Sequence, residues 1–191
     1  MLALWDSSVM PADHTVASLR QYTAAAQVSP ALRRQLVDCW VTVTNAGGAV
    51  GFPFPPVDEA TVAPEADDLI AGLDPDLRRL LVAVRNDRLA GWVSIHREAN
   101  PLITHWGTIR RLQADPAFRG QGIGSALMIR ARQIARDEMH LDQLRLAVRG
   151  GMGLEAFYQR LGWTIAGRWP RALRFGPDDY RDEVLLILTP L

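Results

Sequence analysis

Arg119-Gly120-Gln121-Gly122-Ile123-Gly124 is the stretch whose residue types and spacing bear most directly on chemistry. It follows a run with strand character and opens a run with helical periodicity. Glycines let successive backbone N–H groups approach an anion with no Cβ in the way. A helix N-terminus adds unpaired donors and a partial positive charge. Together these features make a cradle for a pyrophosphate, to which Arg119 adds a charge-assisted hydrogen bond. The spacing is not that of a Walker loop, because no Gly-Lys-Ser/Thr follows, nor that of the dinucleotide fingerprint Gly-x-Gly-x-x-Gly. The same turn also suits a packing role in which strand and helix simply lie close. The residues alone leave both readings open.

Other reactive groups are sparse. Cys39 is the single cysteine of the 191 residues and sits in an apolar stretch, which predicts a buried, inert thiol, no internal disulfide and a reducing, cytoplasmic setting. No His/Cys cluster has metal-ligand spacing, so no metal is expected. Formal net charge is zero and every one of the 21 cationic side chains is Arg. That balance argues against a nucleic-acid partner. Met1-Leu2-Ala3-Leu4-Trp5-Asp6 has neither a basic start nor a long apolar run, so no signal peptide and no membrane partner are expected.

The elements that must position the turn follow from periodicity. Ser29-Pro30 reads as a helix cap and first turn, with Leu32, Leu36, Val37 and Trp40 at helical spacing up to about Asn45. The loop at 47–56 is dense in Gly and Pro and carries Phe52 and Phe54, which either tuck into the core or wall a ligand pocket. An acidic helix is predicted over 64–73. The apolar run 80–84, a turn at Asn86-Asp87 and a run from Leu89 to His96 read as a hairpin. A third strand spans 107–114 and stops before Pro116. A helix runs from Ile123 through Ala135, a buried strand covers 144–148, and a short helix bearing Leu154, Phe157, Tyr158 and Leu161 ends at Gly162. Two last strands, 163–169 and 183–189, flank an acidic loop around Asp178 and Asp179. The order implies an α/β fold with a mixed central β-sheet flanked by helices. It is read as one domain over 1–191, with 1–79 on the acceptor side and 80–191 as the core.

The Gly turn preceded by Asp115-Pro116 resembles the acetyl-CoA signature of the GNAT N-acetyltransferases. Ala156-Phe157-Tyr158-Gln159-Arg160-Leu161-Gly162-Trp163 resembles their second marker. The resemblance covers roughly 80–191. It implies acetyl-CoA as co-substrate, bound in a splayed strand pair. The amides of Gln121, Gly122, Ile123, Gly124 and Ser125, with Arg119 and Gly120, would hold the pyrophosphate. Leu112, Gln113 and Ala114 would splay from the strand at 144–148 to admit pantetheine, and an N–H near Leu112 or Gln113 would polarise the thioester carbonyl. Tyr158 would protonate the departing thiolate. Read without the resemblance, Tyr158 is a core aromatic on an amphipathic helix.

Three departures from the family pattern leave the general base open. Thr108 stands where many members carry Glu, Gly151 where many carry Asn, and Ala114, two before Pro116, where a large residue is usual. Glu98, His105 and His96 are the candidates by residue type. Asn45-Ala46-Gly47-Gly48-Ala49-Val50-Gly51-Phe52 and Ala166-Gly167-Arg168-Trp169-Pro170 resemble the tabtoxin-resistance acetyltransferases. That likeness implies a small-molecule amine acceptor, an antibiotic or toxin, with aminoglycoside-type compounds as a second class. Phe52, Phe54 and Asp179 are the expected substrate-side residues, while Asp58, Glu59, Asp67, Asp68 and Asp178 are read mainly as solvated. Direct attack of the amine on the thioester is expected. Rival readings are a protein or peptide acetyltransferase and a non-catalytic acyl-CoA binder. A homodimer is expected through an exposed final strand.

Overall fold

The apolar run 80–84 is unbroken because its strand is covered on both faces. Leu80 and Val82 face one core cluster, and Leu81 and Ala83 face another. The computed structural model describes residues 17–48, 51–52 and 55–191. Among the described residues seven strands form one sheet: β1 (Ser18–Tyr22), β2 (Arg78–Arg85), β3 (Arg88–Arg97), β4 (Trp106–Ala114), β5 (Gln143–Arg149), β6 (Thr164–Arg174) and β7 (Tyr180–Leu188). Their spatial order is β1-β2-β3-β4-β5-β7-β6. Only β4 and β5 run parallel; every other neighbouring pair is antiparallel.

Helices α1 (Pro30–Asn45) and α2 (Glu59–Ala71) cover one face, through Leu36, Trp40, Val62 and Leu69. Helices α3 (Ile123–Gln133) and α4 (Leu154–Gln159) cover the other, through Leu127, Ala131 and Tyr158. The mixed α/β architecture expected from element order is the one present. Ser29 caps α1 as expected, its Oγ accepting from the Leu32 amide at 3.1 Å. Asn86 and Asp87 both have positive φ, 49° and 58°, which closes the β2–β3 hairpin in the hand that matches strand twist.

Three features differ from expectation. Strand β1 has no counterpart in the sequence reading, because Ser18-Leu19-Arg20-Gln21-Tyr22 is a short, mostly polar edge strand. Helix α2 starts at Glu59 rather than Pro64, because Asp58 caps it: Oδ1 accepts from the Thr61 amide at 2.9 Å and the Thr61 hydroxyl at 2.7 Å. Pro64 sits inside it, and the carbonyl that Pro64 fails to engage belongs to Ala60, which is exposed to solvent. The final strand is not an exposed edge. β7 is inserted between β5 and β6, so the edges are β1 and β6 and the dimer expected through β7 loses its basis.

Candidate active site

β4 and β5 pair at only three positions, Trp106 with Gln143, Gly107 with Leu144 and Thr108 with Arg145. Arg145 fastens that last rung. Its Nε donates to Thr108 Oγ1 at 3.1 Å, and its guanidinium lies 3.7 Å from the centre of the Trp106 ring. Beyond the rung the strands part. A cavity of about 180 Å³ opens between Ile109, Leu112, Gln113 and Ala114 on one side and Leu146, Ala147 and Val148 on the other, with Tyr158 also lining it.

A bulge shapes the β4 wall of this gap. Trp92 pairs with Gln113 and Ser94 with Arg110, so Val93 faces both Arg111 and Leu112. Arg111 takes a left-handed φ of 59°, unusual for a residue with a side chain. Its guanidinium is held by Glu65 at 2.9 Å and stacks 4.5 Å from the centre of a Trp40 ring. The extra residue of a bulge is unpaired and re-aims its neighbours. Gln113 follows. It is buried, lines the gap, and among the described residues has no hydrogen-bond partner at either Oε1 or Nε2. An unsatisfied buried amide is costly, and a ligand in the gap would be one way to complete it.

At the far end of β4 the chain enters the Gly turn. Gly120 and Gly122 have φ of 75° and 76°, a backbone region that L side chains avoid. Among the described residues the amides of Gly122, Ile123, Gly124 and Ser125 find no acceptor, the first in-register bond of α3 being Ala126 N–H to the Gly122 carbonyl at 2.9 Å. Gln121 Oε1 accepts from Arg85, and Arg119 is exposed. Gly91 on β3 lets the turn close down: a Cβ there would meet the Gln113 carbonyl at 2.5 Å and Ile123 Cγ2 at 2.9 Å.

Tyr158 projects from α4 into the same gap. Its ring packs edge-on against Phe157 and Trp163, with centroids 5.0 and 5.9 Å away. Burial raises the phenol pKa above its ordinary value. The group therefore keeps its proton through the physiological range.

Two further cavities of about 380 Å³ each adjoin the gap. Phe52, Arg149 and Phe175 border both. Asp179 and Arg181 complete the first, and Arg174 and Glu183 the second. Asn45 and Val57 are joined by two hydrogen bonds: Asn45 Nδ2 donates to the Val57 carbonyl at 2.9 Å, and the Val57 amide donates to Asn45 Oδ1 at 2.8 Å.

The profile of the acetyltransferase (GNAT) family matches residues 30–163. This chain belongs to the GNAT acetyltransferase family. Elongator complex protein 3 of Danio rerio is 37% identical over 105 residues, which cover 54% of this chain and 18% of that protein. The chain thus spans under a fifth of the curated relative it matches. The GNAT-family acetyltransferase of Streptococcus pneumoniae superposes with a TM-score of 0.68 at 19% identity, covering 90% of this chain and 99% of that one. The yncA protein of Salmonella typhimurium, solved with its cofactor acetyl-CoA, gives 0.68 at 15% identity, covering 92% and 94%.

Acetyl-CoA is the acyl donor of the GNAT family, and the residues present fit it. The free amides at the start of α3 suit a pyrophosphate. The gap between β4 and β5 suits a pantetheine arm, whose amides match the unpartnered Gln113 side chain. Among the described residues no three His, Cys, Asp or Glu side chains converge as a metal site would require, and no helix is long and apolar enough to cross a membrane.

The remaining GNAT site expectations are placed as follows. Phe52 packs on Trp40 at 5.5 Å and borders the outer cavities. Phe54 lies outside the described residues. Asp179 borders a cavity but is bound to Arg181 at 2.8 Å. Asp67 pairs with Arg33 at 2.6 Å. Glu98 faces Arg110 at 3.9 Å, and His105 is on an exposed turn before β4. His96 bonds Ser94 Oγ at 3.0 Å, and its pKa falls to about 3 through burial and then the nearby Arg110, Arg78 and Arg111. None of Glu98, His105 and His96 borders the gap with Tyr158. Arg111, Arg145, Arg149 and Glu183 went unnoticed in the sequence, since only strand register reveals them.

Proposed function

We propose that the chain is an acetyl-CoA-dependent N-acetyltransferase acting directly on a primary amine of a small molecule, an antibiotic or toxin being the leading class. The observation that carries this reading is continuity. The gap holding Tyr158 shares Gly48, Ala147 and Val148 with the outer cavities, so donor and acceptor have adjoining seats. Such juxtaposition makes the transfer effectively intramolecular.

Acetyl-CoA supplies an activated acyl group when bound. The amides at the start of α3 anchor its phosphates, and a backbone N–H near Leu112 or Gln113, next to the bulge, would polarise the thioester carbonyl. Tyr158 donates its proton to the leaving sulfur. Cys39 is no acyl carrier, because burial pushes its thiol up to about 12 and keeps it protonated.

Incubation with acetyl-CoA and a panel of amines, followed by free-CoA release, tests the reading. Turnover with intersecting initial-rate patterns supports direct transfer. Ping-pong kinetics, or no turnover of any small amine alongside acetylation of peptides, would overturn it.

A further inference from the structure

The charged groups around the outer cavities are unequally engaged. Asp179 is tied to Arg181. Arg174 donates from Nε to the Gly176 carbonyl at 3.2 Å. Arg149 and Glu183 stand apart. Among the described residues neither takes part in an ion pair, and Arg149 Nε is buried without a hydrogen-bond partner. The Arg149 guanidinium rests 3.8 Å from the centre of the Phe175 ring. Burial, then the nearby Arg181, lower its basicity, so a cation is held there at a cost.

Register makes the arrangement more informative. Arg149 and Glu183 are directly opposite in the antiparallel β5–β7 ladder. Their side chains therefore leave the sheet on one face, and both border the same cavity. Opposite charges across a ladder ordinarily pair. Here each is left for something else, and Arg149 is fixed on an aromatic face rather than on Glu183. The cavity walls hold Arg149, Arg174 and Arg181 against Asp179 and Glu183, a balance that disfavours a polycation.

We infer that Arg149 and Glu183 select an acceptor whose primary amine lies beside an anionic group: an amino acid, or a close analogue with another oxyanion in place of the carboxylate. The anion seats on the Arg149 fork, which matches an oxyanion bidentately. The ammonium seats on Glu183, and one of its protons passes to that carboxylate. The neutral nitrogen then bonds to the acetyl carbon as the carbon–sulfur bond breaks. The sulfur takes the Tyr158 proton, the amide nitrogen releases its surplus proton, which restores Tyr158, and Glu183 returns its own proton to solvent. The inference rests on the acetyltransferase reading above and narrows its acceptor away from aminoglycosides.

The test uses the full chain, acetyl-CoA, the common L-amino acids, their carboxamides, amino-acid phosphonates and kanamycin. Free-CoA release reports turnover, and calorimetry reports CoA binding separately. At least one acid-bearing amine should exceed its neutral counterpart in kcat/KM by on the order of 100-fold. Arg149→Met should collapse that ratio to about fivefold or less with CoA affinity unchanged, and Arg149→Lys should restore part of it. Glu183→Gln should lower kcat/KM for acid and amide alike. Equal or better use of carboxamides or kanamycin would overturn the inference, as would a ratio unmoved in Arg149→Met. CoA binding with no amino acid or analogue turned over overturns it while leaving the donor reading standing. A chain that fails to bind CoA overturns both.

Discussion

The two ends of the cleft are built from opposite materials. The donor end, between β4, β5 and α4, is lined by backbone and apolar side chains, and its polar capacity is mostly amide: free N–H groups at α3 and the Gln113 side chain. The proposed acceptor end, between Phe52, Pro55 and the β6–β7 hairpin, is lined by guanidinium groups, carboxylates and aromatic rings. Amides serve a ligand that never varies and hold it by shape. Charged side chains on a hairpin tip are changed by single substitutions, so one scaffold accommodates different acceptors.

Substitutions at the two ends should therefore separate kinetically. The largest effect is expected from Tyr158→Phe, which removes the proposed proton donor at the junction: kcat should fall by about 100-fold or more, with CoA affinity unchanged in calorimetry. Retained kcat would remove the phenol from the chemistry.

His96→Gln comes next, and it touches neither end. The folded pKa of His96, about 3, lies below its ordinary value of 6.5, so on acidification the unfolded chain binds the proton first. Stability is intact above about pH 6.5 and is lost progressively as pH falls toward 3. In His96→Gln the stability lost between neutrality and about pH 5 should shrink by about 2 kcal/mol in denaturant titrations. The acid limb of the rate profile should not move; a moved limb would bring His96 into the proton path.

Gly122→Ala probes the donor end alone. A Cβ there meets nothing within 4 Å, so the whole penalty is the left-handed backbone, about 1–2 kcal/mol. KM for acetyl-CoA should rise about tenfold while acceptor KM stays put. Phe52→Ala should do the converse, raising acceptor KM about three- to tenfold through loss of an aromatic wall, with acetyl-CoA KM unchanged. If either variant moved both constants equally, the two ends would not be separable.

The same contrast explains what could be read in the sequence. The donor end was legible because its parts are local: glycines at fixed spacing before a helix, and a tyrosine shortly before Gly162. The hairpin at Asn86-Asp87 and the Ser29 cap were legible for the same reason. The bulge at Arg111, the rung made by Arg145 and Thr108, and the Arg149–Glu183 opposition were not. Each depends on which residue of one strand faces which residue of another, and alternation alone leaves that register open. The order of β6 and β7 was misread because nothing in a hairpin's sequence says which arm joins the sheet. Arg and Glu within strands also looked like ordinary solvated residues.

The three-rung contact between β4 and β5 has a consequence for the chain's life in a cell. A sheet left unzipped at its middle lacks cohesion that a ligand lying in the opening supplies. Whatever binds the folded form alone stabilises it by an amount that grows with the logarithm of its concentration. Melting temperature should climb steadily with added CoA. Degradation should quicken when the donor runs short, so that enzyme abundance follows metabolic supply with no regulator in between.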